Sequence, residues 1–367
     1  MDRRIKAPAS MRVPMYLLYI AVFAALMIWG TGHDLEIDKM MFNYENKFAI
    51  FLENYGMLPY FSIQLFAFCV LIAAYRKPDE AADIVEAIVP VFGKIRSNNI
   101  IKKISFILHH IIYLGFIWGA YDGSNTFLNY IMRAAKGGNI QELMVAGGKP
   151  KFFAVLLWTL ARAAVVALLV FLLSRIDKEQ LKVFELMAFV GLVSLLGYRI
   201  ISELKVHFHR VRFREMVAYS HSLTNPQGYT QIGDSVLKKE WANDSMYFAY
   251  TPWNKVGNDY GIFSSSDSFP SGHTAAAAYS MLLPMLASRL KDGKKLFIPA
   301  FVLSLGYTLS VGISRLMRGA HYMTDIACGA LIIFAVVFVI TGVFGIIDYV
   351  FERRVKKFKR KKEREKK

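Results

Sequence analysis

The chain has 367 residues, of which 55% are hydrophobic, and its mean hydropathy is +0.34. This composition excludes an ordinary soluble domain, which must cover its surface with polar residues, and predicts an integral membrane protein. The formal net charge of +17 does not indicate nucleic-acid binding, because no base-reading pattern accompanies it. Segment 353–367 alone holds 11 basic and 2 acidic residues, a run that predicts contact with anionic lipid headgroups at a membrane surface.

Apolar stretches of membrane-spanning length recur along the chain, each close to the ~20 residues that a bilayer core requires. They predict an all-α, polytopic membrane helix bundle of about eight transmembrane helices. We expect one membrane-embedded domain over 1–350, with a motif-bearing region at 200–330, and a basic cytoplasmic tail at 351–367. The predicted helices are, in chain order, 13–30, 57–75, 104–121, 152–174, 183–204, 272–288, 296–313 and 324–350.

The charges outside these helices predict the topology. With a cytoplasmic N-terminus, the inside segments hold 28 Lys and Arg residues and the longer outside segments hold 15. The positive-inside rule therefore favours both termini in the cytoplasm, and it puts the polar clusters described below on the extracytoplasmic face of the cytoplasmic membrane.

Arg162, near the centre of the fourth helix, should face the bundle and a partner. Cys69 and Cys328 lie inside helices and are interpreted as small buried apolar residues.

The first two polar clusters are rich in anion-binding groups. Lys205 lies at the outer end of the fifth helix and is followed by Arg210, Arg212 and Arg214. Basic residues are disfavoured at that face, so these four cations suggest an anion to be neutralised; the alternative is a charged helix end. In the segment Ser271-Gly272-His273, serine suits an N-cap and glycine lets the backbone approach an anion. The alternative is a capped helix with an incidental histidine.

The third cluster pairs a histidine with a carboxylate. His321 and Asp325 are four residues apart, so on a helix they would share one face, and the carboxylate could hold one imidazole nitrogen while the other attacks. A purely structural pair is the alternative. Arg315, shortly before them, is a candidate phosphate clamp.

Together the clusters resemble the type 2 phosphatidic acid phosphatase superfamily, whose signature is Lys-x6-Arg-Pro, then Pro-Ser-Gly-His, then Ser-Arg-x5-His-x3-Asp. The second and third motifs match at every defined position, while in the first Phe213 replaces the usual proline. The resemblance implies a six-helix phosphatase-like core in the bundle and a catalyst that needs no metal and no cofactor. His321 would be the nucleophile, Asp325 would orient it and His273 would act as acid and base. The implied phosphate-binding residues are Lys205, Arg212, Ser271, Gly272 and Arg315.

The substrate expected from this resemblance is a lipid phosphomonoester or diphosphate that enters from the membrane. Undecaprenyl diphosphate, phosphatidic acid, phosphatidylglycerol phosphate and lipid A stay open as candidates. The aromatic outer loop at 214–268 suits either an interfacial lid or an ordinary aromatic belt. Three alternatives remain: a lipid phosphotransferase using the same site, a non-catalytic lipid-binding membrane protein, and a transporter.

Overall fold

The structure is a computed structural model of the chain. It describes residues 7–76, 99–136, 145–146, 149–150, 152–224, 247, 249–255 and 267–365. Most of the aromatic outer loop, including Phe248, Tyr260 and Phe263, lies outside these ranges. The side chains of the basic tail at 351–367 likewise lie outside what is described.

Nearly all of the described chain is helical, which confirms the predicted all-α class. A 3₁₀ segment, Tyr279–Met281, lies between the helices Gly272–Ala278 and Leu282–Ala287, and a two-residue antiparallel pair joins Val145–Ala146 to Lys149–Pro150. The α-helices of the described residues are α1 (Ala9–Met41), α2 (Lys47–Tyr55), α3 (Leu58–Ala74), α4 (Asn99–Lys136), α5 (Phe152–Leu173), α6 (Lys178–Ser194), α7 (Gly197–Phe208), α8 (Phe213–Thr224), α9 (Gly272–Ala278), α10 (Leu282–Ala287), α11 (Gly293–Met317) and α12 (Met323–Glu365).

Six helical stretches among the described residues are long and apolar enough to cross a membrane, so the chain is a multi-pass membrane protein. The predicted count of eight is not confirmed. The third predicted span lies in α4, which is 38 residues long, and the sixth is divided among α9, the 3₁₀ segment and α10. The six stretches are Ala9–Met41, Lys47–Ala74, Phe152–Leu173, Lys178–Tyr219, Gly293–Met317 and Met323–Ile347.

Pro284 explains the division of the sixth span. Proline has no N–H, so it cannot donate to the carbonyl of Ser280 one helical turn earlier. That carbonyl instead accepts a hydrogen bond from the hydroxyl of Ser304 on α11, at 2.8 Å. The break in the helix is therefore compensated by its neighbour, which keeps a buried backbone acceptor satisfied.

The chain divides into two compact units, residues 1–60 with 194–337 and residues 61–193 with 338–367. The first unit contains every residue predicted to act at the site. In the second unit, Arg162 donates to the carbonyl of Tyr121 at 2.9 Å and lies 3.6 Å from its ring centroid. The prediction that Arg162 has a partner inside the protein is therefore confirmed, while the prediction of a single domain over 1–350 stays a prediction.

Candidate active site

The start of α12 places the predicted nucleophile and its carboxylate. The helix begins at Met323, so His321 precedes it and does not share a helical face with Asp325 as predicted. The reason is local, because Oδ2 of Asp325 accepts the backbone N–H of Tyr322 at 2.8 Å. Tyr322 is the residue before the helix, and Asp325 is its third residue. A carboxylate at that position satisfies a backbone N–H that the helix leaves without a partner, and so fixes where the helix begins.

His321 is held by a carbonyl group rather than directly by the carboxylate. Its Nδ1 lies 2.7 Å from the carbonyl oxygen of Ser268 and 3.7 Å from Oδ2 of Asp325, the latter longer than a hydrogen bond. A carbonyl only accepts, so Nδ1 carries the proton and Nε2 keeps its lone pair. Burial lowers the pKa of His321 to about 3, against the opposing effect of Asp325. The imidazole is therefore neutral at pH 7, as a nucleophile must be.

Arg210 is the main partner of Asp325, although its place in the first cluster predicted only a further cation and no contact with this carboxylate. Its Nη1 lies 2.6 Å from Oδ1 of Asp325, and both side chains are almost completely buried. The hydroxyl of Ser268 makes a short hydrogen bond to the other carboxylate oxygen. Arg210 also donates from Nε to the carbonyl of Thr251 at 2.7 Å, and its guanidinium lies 4.0 Å from the ring centroid of Tyr322. Asp325 is thus fixed from two sides before any substrate binds.

The N-terminal helix α1 supplies a second carboxylate to this network. Oδ2 of Asp34 lies 2.8 Å from Nη2 of Arg210, and Oδ1 accepts the backbone N–H of Thr324 at 3.0 Å. The hydroxyl of Thr324 also binds Asp34. Asp34 therefore connects α1 to the first turn of α12. The sequence carried one signal for it, a pair of aspartates, Asp34 and Asp38, spaced four residues apart at the end of an apolar helix.

The candidate phosphate clamp, Arg315, is paired with a glutamate in this structure. Its Nη2 lies 3.0 Å from Oε1 of Glu53 on α2, and its side chain is 3% exposed. Its Nε and Nη1 are buried and have no hydrogen-bond partner among the described residues. Buried donors of this kind are costly unless a ligand or water satisfies them. Arg315 is therefore placed to accept an oxyanion.

The first cluster lies beside the second. Lys205 donates to the backbone carbonyl of Asp267, and Arg212 donates to Glu215 at 3.0 Å. Phe213, which replaces the usual proline, is fully buried and packs 5.3 Å from Phe42, ring centroid to ring centroid. It is the first residue of α8, a position that proline also favours. The substitution therefore keeps the helix start and adds a core aromatic side chain.

The Pro-Ser-Gly-His segment begins α9. The hydroxyl of Ser271 accepts the backbone N–H of Thr274 at 3.3 Å, so Ser271 is the N-cap that the sequence predicted. A side chain at Gly272 would come within 2.8 Å of the hydroxyl of Tyr198, so a larger residue would require that ring to move. Nε2 of His273 lies 3.2 Å from the backbone oxygen of Glu53.

The predicted residues share one electrostatic environment. The charge of Lys205 acts on His321, and that of Arg315 acts on both His321 and His273. Arg212 acts in turn on Lys205. The fold thus brings the three motifs together, while the roles of their side chains in binding and catalysis stay predictions.

Comparisons with known proteins agree with this arrangement. Residues 182–346 match the sequence model of the PAP2 superfamily. Phosphatidylglycerophosphatase B of Bacillus subtilis is 32% identical over 106 residues, which cover 27% of this chain and 46% of that protein. The chain thus spans less than half the length of this curated relative, and no solved structure matches it. The matched segment 182–346 and the three motifs within it are therefore similar to the PAP2 superfamily, that of the type 2 phosphatidic acid phosphatases.

Proposed function

We propose that this protein is an integral-membrane lipid phosphatase that works through a phosphohistidine on His321. The observation that carries the proposal is the hydrogen bond between Nδ1 of His321 and the carbonyl of Ser268, at 2.7 Å. It leaves Nε2 unprotonated and fixes the ring. Arg315, with two buried donors that lack a partner among the described residues, supports a phosphoryl group bound nearby.

In the first step, Nε2 of His321 attacks phosphorus and an N–P bond forms as the bond from phosphorus to the lipid oxygen breaks. His273 in its imidazolium form gives a proton to the leaving oxygen, so the lipid departs as an alcohol, or as a monophosphate from a diphosphate. Burial lowers the pKa of His273 in the free protein, and the anionic substrate beside it would raise that pKa. Positive charge develops on the imidazole ring of His321. The carbonyl of Ser268 and the nearby carboxylate of Asp325 stabilise that charge.

In the second step, His273 removes a proton from water, the oxygen attacks phosphorus and the N–P bond breaks. Inorganic phosphate leaves and His321 regains its lone pair. Phosphoryl transfer depends mainly on positioning and on cations around the equatorial oxygens. Lys205, Arg212 and Arg315 supply that charge, which supports a reaction independent of metal ions.

Phosphatidylglycerophosphate is the first substrate to test, because the Bacillus relative is named a phosphatidylglycerophosphatase. The test is phosphate release by the purified protein in detergent, with EDTA, from phosphatidylglycerophosphate, phosphatidic acid, undecaprenyl diphosphate and lipid A. Release that persists in EDTA supports the proposal. Failure on every lipid by a folded protein would refute it.

His321→Ala tests the mechanism. We expect turnover to fall by at least about a thousandfold while the protein stays folded and inserted. His207→Ala, at an exposed histidine near the end of α7, is the matched control and should keep its activity. Acid-labile, base-stable labelling of the wild-type protein by a radioactive substrate, absent in His321→Ala, would identify the phosphohistidine.

We place the site on the extracytoplasmic face of the cytoplasmic membrane, on the basis of the positive-inside bias. Lys255→Cys and Lys295→Cys test this placement, since both positions are exposed. A membrane-impermeant maleimide added to intact cells should label the first variant and not the second. The reverse pattern would put the site in the cytoplasm.

A further inference from the structure

Glu53 is the centre of an arginine cluster. It lies on α2, outside the segment 182–346 that matches the family. Its Oε1 lies 3.0 Å from Nη2 of Arg315 and 3.2 Å from Nη1 of Arg214, and its Oε2 lies 2.5 Å from Nε of Arg318. One carboxylate thus pairs with three guanidinium groups beside the candidate phosphate site.

The pairing divides the three arginines into two kinds. Arg214 and Arg318 both direct a donor at Glu53, and Arg318 also binds the carbonyl of Tyr44 and lies 3.4 Å from its ring centroid. Arg315 gives only Nη2 to Glu53 and keeps Nε and Nη1 without a partner among the described residues. Arg315 therefore has two buried donors without a partner among the described residues, while Arg214 and Arg318 each give a donor to Glu53.

The formal charges of Glu53 and the three arginines also bear on which anion the cluster can bind. The three arginines and Glu53 together carry a formal charge of +2, so Glu53 cancels one of the three positive charges that this cluster could offer a bound anion. A lipid diphosphate carries a further negative charge on its inner phosphoryl group. That group would compete with the carboxylate of Glu53 for Arg214 and Arg318, or lie next to it, and like charges repel strongly where water is scarce.

We infer that Glu53 selects phosphomonoesters over diphosphates by occupying Arg214 and Arg318 with an internal anion. The inference rests on the proposed function, since it assigns the substrate class of that same site. It makes Glu53 a specificity-determining residue contributed by the N-terminal part of the chain.

The test is a binding measurement that needs no turnover. The probes are inorganic phosphate and methylenediphosphonate, a diphosphate analogue that phosphatases do not cleave, titrated into the purified protein in detergent by calorimetry. We expect the wild-type protein to prefer phosphate. Glu53→Gln should shift the ratio of the two dissociation constants toward the diphosphonate by about tenfold or more, the equivalent of one lost charge contact.

Two further variants complete the design. Glu203→Gln removes a carboxylate that is 74% exposed and pairs only loosely with Arg199 at 4.0 Å, so it should leave the ratio unchanged. The double variant Glu53→Gln/Arg214→Gln keeps the net charge of the cluster and frees only Arg318. It should give a ratio between those of the wild type and Glu53→Gln, and it carries the test if Glu53→Gln does not fold.

A ratio that stays within about twofold of the wild type in whichever of these two variants folds would overturn the inference. So would a wild-type protein that prefers the diphosphonate. Neither result bears on the proposed function, which fails instead if the wild-type protein releases no phosphate from any lipid.

Discussion

Arg210 and Asp325 form a buried ion pair, with Nη1 and Oδ1 2.6 Å apart and neither side chain more than 1% exposed. Asp34 holds the other terminal nitrogen of the same guanidinium at 2.8 Å. Breaking a buried pair of this kind is costly because it leaves an uncompensated charge. The carboxylate next to the candidate nucleophile is thus positioned by Arg210, at an undefined position within the first motif, and by Asp34 near the N-terminus.

Asp34→Asn should lower kcat by about 10- to 100-fold and leave KM nearly unchanged. The substitution keeps the shape of the side chain but removes one charge-assisted hydrogen bond to Arg210, worth about 1.5–3 kcal/mol. Because Asp34 acts through Arg210 and Asp325, substrate affinity should be little affected. Steady-state kinetics on the best lipid substrate checks this. Asp292→Asn, at an exposed aspartate, is the control, and an unchanged kcat in Asp34→Asn would contradict the role.

Ser268→Ala separates the two contacts that this residue makes. It removes the hydroxyl that binds Asp325 and keeps the carbonyl that accepts the proton of His321. We expect the free energy of unfolding to fall by about 1.5–3 kcal/mol and kcat to fall less than about tenfold, since the tautomer of His321 is retained. Denaturant unfolding and kinetics measure the two effects. A loss of activity as large as that of His321→Ala would show that the hydroxyl, not the carbonyl, is essential.

The titration of His321 predicts a pH dependence of stability. Burial lowers its pKa to about 3, from 6.5 in an exposed histidine. Above pH 6.5 the group is neutral in both states and has no effect on the pH dependence. As the pH falls from 6.5 towards 3, the unfolded chain takes up a proton that the folded protein excludes, so stability declines by up to about 1.4 kcal/mol per pH unit.

His321→Asn removes that titration. The variant should therefore lose less stability than the wild type between pH 7 and pH 4.5, which thermal denaturation in detergent at both pH values measures. Equal losses in the two proteins would mean that His321 is not buried and neutral in the folded state.

Phe213→Pro restores the residue that the family usually has at this position. Proline is compatible with the first residue of α8, but the substitution removes a fully buried ring from the cluster that contains Phe42. We expect a stability loss of about 3–5 kcal/mol, as for other large-to-small changes in a core. The melting temperature measures it. A variant as stable as the wild type would show that the backbone, not the ring, matters here.

Helices and motif residues were readable from the sequence because they depend on local order. Apolar runs of about 20 residues predict membrane helices wherever they occur, and the N-cap at Ser271 follows from the chemistry of one short segment. The same local logic failed at His321, which lies before α12 because Asp325 binds back to the N–H of Tyr322. A proline disrupts a helix wherever it occurs, so a break near Pro284 follows from local chemistry, whereas the hydrogen bond from Ser304 to the freed carbonyl depends on a neighbouring helix.

The sequence by itself determined that this chain is an all-helical membrane protein with three polar clusters, for which it predicts roles in phosphate binding and catalysis. Only the tertiary structure decided what surrounds them. Asp34 and Glu53 lie more than 140 residues before the first cluster, yet they contact Arg210 and Arg315. Such partners are set by the packing of distant helices and by the cost of leaving a buried charge unpaired. No spacing along the chain encodes that requirement.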